Sequence, residues 1–324
     1  MKGQYHVIVQ NNRVKYEFDI RRNITIIKGD SATGKTTLVS LIETYDRLGS
    51  DSGIEVVCTR RCLTVNNSNW EAVLDRSSDS IVFIDEENTI IKSKDFAKKI
   101  QGTSNYYVIV TRENLPNLPY SVEEIYGIHN SGRYSDLRKT YNSFYRLYGS
   151  PFSGYDRKVQ KIIAEDSNAG YEFFKSAACT DINVFSAGGK TKIRRMLVED
   201  PDSTVLIIAD GAAFGSEISE IYMFMRSHSG VHLYLPESFE WILLSSGLID
   251  GNRIKEILEK TEDYVDSSQY FSWEQFYTKL LVEETKNTYL QYSKSKLNIV
   301  YLDNRQKTAI LHVFHIIWEM MGIS

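Results

Sequence analysis

The stretch NITIIKGDSATGKTTLVSLI constrains the fold of this chain more than any other part of its 324 residues. Ile24–Lys28 is a largely apolar run that predicts a strand, and Leu38, Leu41 and Ile42 share one face of the helix predicted after it. Between the two lies Gly29–Thr36, which fits the pattern GxxxxGK[ST] in the strand–loop–helix context that this pattern requires. The sequence therefore predicts an α/β fold that begins with a phosphate-binding loop.

The residue types in this loop suit the phosphates and the metal ion of a bound nucleotide. Gly29 and Gly34 allow backbone N–H groups to curl around a β-phosphate, and the N-terminus of the following helix adds a partial positive charge. Lys35 can reach the β- and γ-phosphates, and the Thr36 hydroxyl is a ligand for Mg²⁺. The loop residues predicted to hold the nucleotide are Gly29, Asp30, Ser31, Ala32, Thr33, Gly34, Lys35, Thr36 and Thr37.

A second motif, SDSIVFIDEEN, supplies the acidic residues that a nucleotide-hydrolysing site needs. Ile81–Ile84 predicts a buried strand, and Asp85 follows it, where it can hold Mg²⁺ through water. Glu86 comes next, placed to orient or deprotonate an attacking water, which favours hydrolysis over simple nucleotide binding. The alternative is that Glu86 and Glu87 are solvated residues at a strand end.

The other predicted strands of this half resemble those of ABC/ASCE-type P-loop ATPases, which carry an inserted strand and a catalytic glutamate. A hairpin around Asn11–Arg13 precedes the loop, and the strand Gly53–Arg60 falls between the loop and the acidic motif. In this class the strand matching Tyr106–Val110 often ends on a residue that senses the γ-phosphate. The resemblance implies that role for Thr111, which could also be an ordinary strand-end cap, and Arg112 is interpreted as an exposed surface residue. No guanine-reading NKxD pattern occurs, so ATP is the expected nucleotide; the ABC signature LSGGQ is missing as well.

The second half of the chain alternates strand and helix patterns. The segments VQKIIAE, DINVFSA, STVLIIAD and VHLYLP each predict a strand followed by a helix, which implies a small parallel sheet covered on both faces. Ligands of such sheets bind at the C-terminal edge of the strands. Glu165 and Asp166 end the first of these strands, and Asp210 ends the third, so these carboxylates are expected at that edge.

This succession of motifs is similar to the Toprim fold of topoisomerases, primases and the OLD (overcoming lysogenization defect) nucleases. It consists of a strand ending in Glu165, the turn Gly188–Lys190, and a strand ending in Asp210 among small residues. A P-loop ATPase followed by a Toprim domain is the OLD arrangement, so the chain resembles a compact OLD-family ATPase/nuclease to about residue 247. The resemblance implies that Glu165 and Asp210 are catalytic and, with Asp166, hold Mg²⁺ for phosphodiester chemistry.

The second half also departs from the Toprim pattern. These domains commonly use Asp-x-Asp, and Ala212 stands where the second Asp belongs, with Asp166 or Glu217 as the available substitutes. Loss of one oxygen ligand lowers affinity for Mg²⁺ and the prospect of two-metal catalysis. Two alternatives stay open: Asp210 as a helix cap, and Lys190 as a solvated turn residue rather than a stabiliser of phosphoryl charge.

The length of the chain predicts more than one domain. The expected organisation is a P-loop NTPase domain at 1–130 with an N-terminal β-hairpin, a connector at 131–156, a Toprim-like domain at 157–248 and a helical C-terminal region at 249–324. The net charge of −4 offers no global basic field for nucleic acid, and the 3 cysteines are expected to be reduced thiols. No signal-peptide core and no apolar run long enough for a bilayer is present in the sequence, so the expectation is a cytoplasmic protein without membrane contact.

The connector mixes tyrosines with basic residues, which can bind single-stranded nucleic acid or form a polar linker between domains. These basic residues are Arg133, Arg138, Lys139, Arg146, Arg157 and Lys158. The function expected from the whole sequence is a Mg²⁺-dependent ATP-hydrolysing protein whose nucleotide state controls a nucleic-acid-directed site. DNA or RNA, a protein partner, or a second copy of the chain are the candidate partners. Two alternatives are an ATP-driven switch with a catalytically dead Toprim-like domain and a P-loop phosphotransferase for a small molecule.

Overall fold

The chain forms two compact units of mixed α/β structure. The computed structural model describes residues 1–29, 33–131, 139–149, 159–249 and 251–314. One unit comprises Met1–Gly149 with Lys260–Ser272, and the other comprises Ser150–Glu259 with Trp273–Ser324. The C-terminal region expected as one helical tail is thus divided between the units. Asp30, Ser31, Ala32 and most of the expected connector lie outside the described residues.

A nine-stranded sheet forms the first unit, in the order β4-β1-β2-β9-β8-β3-β7-β6-β5. Its strands are β1 Tyr5–Gln10, β2 Val14–Ile20, β3 Ile24–Ile27, β4 Glu55–Val57, β5 Cys62–Thr64, β6 Ile81–Ile84, β7 Tyr106–Val110, β8 Ile125–Asn130 and β9 Thr140–Arg146. Its α-helices are α1 Lys35–Leu48, α2 Trp70–Leu74 and α3 Lys94–Ile100. Strands β3, β6 and β7 are buried along their whole length, as expected for parallel strands covered on both faces.

The antiparallel hairpin expected around Asn11–Arg13 is present, since β1 and β2 pair from Tyr5 with Ile20 to Gln10 with Lys15. The expected inserted strand, however, is a different segment. Only Glu55–Val57 of Gly53–Arg60 is a strand, and it pairs with β1 at the far edge of the sheet. The parallel neighbours of β6 are β5 and β7 instead. A three-residue strand carries too short a hydrophobic pattern to be found from sequence.

The expectation of an irregular connector from residue 131 was also wrong in part. Thr140–Arg146 is strand β9, which lies between β2 and β8 in the first unit's sheet. Of its side chains, that of Asn142 is buried, and Phe144 stacks on Phe18 with ring centroids 4.2 Å apart. The strand is therefore polar and aromatic rather than alternately apolar, which is why its composition resembles that of a loop.

The second unit contains the parallel four-stranded sheet expected from the alternating pattern. Its strands are β10 Lys161–Ala164, β11 Asn183–Ser186, β12 Val205–Ile208 and β13 Val231–Tyr234, in the order β11-β10-β12-β13. Its α-helices are α4 Ala169–Ala177, α5 Ile193–Glu199, α6 Ile218–Ser227, α7 Phe239–Ser245, α8 Asn252–Glu259, α9 Trp273–Thr285 and α10 Asn304–His312. No helix in the described part of the chain is both long and apolar enough to span a membrane.

Candidate functional site

The first candidate site, in the first unit, begins where β3 ends and α1 starts. Gly29 has φ +140° and Gly34 φ +89°, backbone conformations that side-chain-bearing residues rarely adopt. Gly34 is also confined by Tyr16, whose hydroxyl donates to the Gly34 carbonyl at 2.7 Å. A Cβ atom at Gly34 would lie 2.7 Å from that hydroxyl oxygen. The buried Tyr16 therefore fixes the backbone just before Lys35, a role that the sequence alone did not indicate.

The Lys35 side chain is buried and turns back into the loop. Its ammonium donates to the Gly29 carbonyl at 2.8 Å and to Thr33 Oγ1 at 3.0 Å. The charge is thus held at the centre of the loop, where it would meet the phosphates of a nucleotide.

Thr36 and Asp85, the two predicted magnesium ligands of this unit, line the same cavity of about 420 Å³. The other lining residues are Val39, Ser40, Glu43, Thr64, Val65, Asn66, Asn67, Ser68, Glu87 and Asn88. A hydroxyl, a carboxylate and room for water suit Mg²⁺, which binds few protein oxygens and keeps several waters. No group of three or more His, Cys, Asp or Glu residues within the described ranges is arranged to hold a metal ion. The Thr36 hydroxyl and the Asp85 carboxylate are oxygen groups of the kind that binds Mg²⁺ together with phosphate.

Thr111 lies at the end of β7, directly beside the strand that leads into the loop. Its N–H donates to the Ile27 carbonyl at 3.1 Å. Its buried hydroxyl accepts from the Glu113 N–H at 3.0 Å and lies 3.3 Å from the Glu113 carbonyl. The location agrees with the predicted nucleotide contact and the hydrogen bonds agree with a strand-end cap, so both interpretations of Thr111 remain.

Glu86, the predicted base, forms a bidentate ion pair with Arg112. The two oxygens of the carboxylate lie 3.0 Å from Arg112 Nε and 2.9 Å from its Nη2. The Arg112 side chain is 54% exposed, as expected for a surface residue, yet it fixes the orientation of a carboxylate that is 23% exposed. This pairing is not visible in the sequence, because the two residues follow different strands.

Placing a side chain at Gly34 should weaken nucleotide binding by the loop. We expect Gly34→Ala to lose at least about tenfold in nucleotide affinity, because the new methyl group forces Tyr16 or the backbone to move. Calorimetric titration with ATP and Mg²⁺ measures this loss. Gly102→Ala, where an added Cβ meets nothing within 4 Å, is the matched control. Equal affinities for the two variants would contradict the role given to Gly34.

The second candidate site lies at the C-terminal edge of the parallel sheet in the other unit. Because Ala164 of β10 pairs with Ile208 of β12, the residues after them meet there. The Asp210 N–H donates to Glu165 Oε2 at 3.0 Å. Burial, together with the neighbouring Glu274, raises the pKa of Glu165 to about 7. Burial likewise raises the pKa of Asp210 well above its usual value, and Glu274 and Glu165 add to this shift.

Asp166 is engaged in the start of helix α4. Its Oδ1 accepts from the Tyr171 N–H at 2.9 Å, and the N–H of Gly170 also bonds its carboxylate. Burial nevertheless raises the pKa of Asp166. A cavity of about 20 Å³, lined by Glu165, Asp166 and Asp210, leaves room for about one water-sized ligand.

The small residues after Asp210 are explained by a close backbone approach. The Gly211 N–H donates to the Pro236 carbonyl at 2.6 Å, and the Ala212 N–H donates to the Glu237 carbonyl at 3.2 Å. A Cβ atom at Gly211 would lie 2.9 Å from two carbonyl oxygens, so a larger residue has no room there. Ala212 is buried, so an aspartate at this position would bring another carboxylate into an enclosed acidic site.

The helical C-terminal region brings further charged groups to this site, and the sequence did not indicate them. Glu274 of α9 is bound by Lys294 at 2.5 Å, and Lys294 Nζ lies 4.0 Å from Glu240 Oε1 of α7. The Tyr292 hydroxyl donates to Glu240 Oε1 at 2.8 Å. Burial by itself would lower the pKa of Lys294, but the Glu240 and Glu274 carboxylates raise it above its usual value. Lys294 thus places a fixed cation inside the acidic cluster.

Lys190 is not a solvated turn residue. Its ammonium donates to the Ala213 carbonyl at 2.6 Å, and burial lowers its pKa while Glu165 and Glu217 attract its charge. It lies in the turn whose glycines have φ +63° and +124°. Glu165, Asp210 and Lys190 therefore meet at one edge of the sheet. No protein-family model and no curated protein matches this chain.

Proposed function

We propose that the first unit binds ATP with Mg²⁺ and hydrolyses it. The observation that carries this proposal is that Thr36 and Asp85 line one cavity, next to Lys35, whose ammonium is held by Gly29 and Thr33. Thr36 and Asp85 would hold Mg²⁺, which when bound neutralises charge on the phosphates. Glu86 would take a proton from the water that attacks the γ-phosphorus, as the bond to the leaving ADP breaks.

The position of β7 supports the ATPase class over other nucleotide-binding classes. Strand β7 lies between β3, which leads into the loop, and β6, which leads to Asp85. The sequence resemblance to P-loop ATPases with an inserted strand rested on Gly53–Arg60, whereas in the sheet β7 is the strand that lies between these two. The P-loop NTPase assignment of this unit rests on that arrangement together with the loop.

The experiment that tests the first proposal is ATP turnover by Glu86→Gln. We expect a loss of at least about 100-fold in kcat with ATP affinity retained, because an amide cannot accept the proton of the attacking water. Phosphate release measures the rate and calorimetric titration the affinity. Glu87→Gln is the control, since Glu87 lines the cavity and is not assigned as the base, whereas Glu86 is paired with Arg112. Undiminished turnover by Glu86→Gln would overturn the assignment of Glu86 as the base.

We further propose that the second unit is a Toprim-like domain and that the chain is a compact relative of the OLD family, in which nucleotide state controls a nucleic-acid-directed site. The support is the adjacency of Glu165 and Asp210 at the edge of a parallel sheet, with Lys190 beside them. Nicking of plasmid DNA and cleavage of RNA with Mg²⁺ or Mn²⁺, with and without ATP, tests this proposal. Cleavage that Glu165→Ala leaves unchanged would remove the site from the mechanism.

Lys294 favours a second candidate function, an ATP-driven switch whose second unit binds a partner without metal chemistry. Its ammonium lies among Glu274, Glu240 and Asp210, where it supplies positive charge that a divalent ion would otherwise provide. ATP turnover without cleavage of either nucleic acid is the result that supports this candidate.

Replacing Lys294 distinguishes the two candidates further. We expect Lys294→Met to lose about 1–3 kcal/mol of stability at pH 8, because it leaves its carboxylate partners without a cation. If the ammonium takes the place of a metal ion, Mg²⁺ should raise the melting temperature of this variant more than that of the wild type. The exposed Lys296→Met is the control. An identical Mg²⁺ response in all three proteins would count against the substitution of metal by Lys294.

A further inference from the structure

Cys58 and Cys62 of the first unit are neighbours on either side of Arg60, a feature that neither proposed activity uses. Cys58 follows β4, and Cys62 is the first residue of β5, so a short turn brings the end of one strand to the start of the other. Both thiols face the backbone of Arg60. The Arg60 N–H donates to Cys58 Sγ at 3.4 Å, and Cys62 Sγ lies 3.9 Å from the Arg60 carbonyl oxygen.

The two thiols have different surroundings. Cys58 is half-buried, whereas Cys62 is buried in the hydrophobic core of the unit. The Cys62 thiol donates a hydrogen bond to the Cys58 sulfur, and the N–H groups of Arg60 and Thr59 also point at that sulfur. These donors stabilise a thiolate on Cys58, and nothing comparable stabilises one on the buried partner.

The charged groups around the pair act in the same direction. The exposed Arg60 guanidinium favours a negative charge on Cys58, while Asp46 disfavours one on Cys62. The hydrogen bond from Cys62, followed by the backbone N–H groups, lowers the pKa of Cys58 to about 6, although burial opposes this shift. The hydrogen bond to Cys58 and burial raise the pKa of Cys62. Of the two, Cys58 is therefore the one whose surroundings favour the thiolate.

We propose that Cys58 and Cys62 form a redox-active pair that a low-molecular-weight disulfide converts to an internal disulfide bond. In the first step the Cys58 thiolate attacks one sulfur of the disulfide, forming a mixed disulfide and releasing one thiolate. In the second step the Cys62 thiol gives its proton to the first released thiolate, and its sulfur attacks the Cys58 sulfur; the mixed disulfide breaks and the second thiolate leaves, taking a proton from water. Two protein thiols are oxidised and one external disulfide is reduced to two thiols.

Treatment of the reduced full-length chain with glutathione disulfide, followed by non-reducing peptide mapping, tests this proposal. We expect a Cys58–Cys62 bond in the wild type and in Cys179→Ser. Cys62→Ser should retain glutathione on Cys58, because the second step has no attacking thiol, and Cys58→Ser should show neither product.

The third cysteine makes the result specific. Cys179 lies in the other unit, and its modification reports ordinary thiol reactivity in the same sample. Cys58 should react at least about tenfold faster than Cys179 at pH 7. The proposal fails if the wild type keeps Cys58 and Cys62 as thiols, if glutathione stays on Cys58 without the internal bond, or if Cys179 reacts as fast as Cys58. None of these readouts depends on ATP hydrolysis, so failure here leaves the proposed activity untouched.

Discussion

Lys35→Ala is expected to abolish ATP turnover, with a loss of at least about 100-fold in kcat/KM. The Lys35 ammonium is the charge at the centre of the loop, held by the Gly29 carbonyl and Thr33 Oγ1. Without it, the developing negative charge on the transferred phosphoryl group loses its main protein cation, and the Gly29 carbonyl loses its partner. Phosphate release at a saturating and at a low ATP concentration separates the effect on kcat from the effect on KM.

The control for this substitution is Lys92→Ala. Lys92 is an exposed lysine of the same unit, paired with Glu113 at 2.7 Å, so its removal changes the charge of the unit by the same amount. Thermal unfolding of both variants shows whether the loop substitution acts through folding. If Lys35→Ala is folded and turns over ATP like the control, the loop is not the nucleotide site.

The second large effect is a loss of stability with rising pH that originates in the second unit. Burial raises the pKa of Glu165 in the folded chain to about 7, from its ordinary value of 4.5. The folded chain therefore holds this proton more tightly than the unfolded chain does. The stabilisation from this proton is complete below pH 4.5 and is lost as the pH rises towards 7. The loss in the free energy of unfolding from this group is on the order of 2–3 kcal/mol. Asp210, whose pKa is also raised by burial, changes stability in the same direction.

Glu165→Gln should remove most of this dependence. The amide stays neutral at every pH and its oxygen can still accept from the Asp210 N–H, so we expect a melting temperature roughly 5 °C above the wild type at pH 8 and little difference at pH 4.5. Scanning calorimetry in EDTA measures both values. Glu199→Gln, an exposed glutamate paired with Arg195, is the control. If the difference in melting temperature between Glu165→Gln and the wild type is the same at both pH values, the buried acidic site is contradicted.

Those parts of both sites that depend on neighbours along the chain can be predicted from the sequence. The glycines of the loop, with their positive φ values, and the apolar run before Asp85 are local requirements, and both appear where the sequence predicts them. The same holds for the four parallel strands of the second unit, because strand β12 and its companions are short apolar runs bounded by turn residues.

Strand pairing and the partners of each charged side chain were decided only by the tertiary structure. Residues 62–64 rather than 55–57 border β6, a choice between two three-residue segments that pairing in the sheet settles. Arg112 forms an ion pair with Glu86, and Glu274 and Lys294 lie in the cluster around Asp210. Each of these contacts joins residues from separate elements, and its energy depends on distance and burial in space. Neither the distance between two such residues nor their burial can be inferred from a period or spacing along the chain.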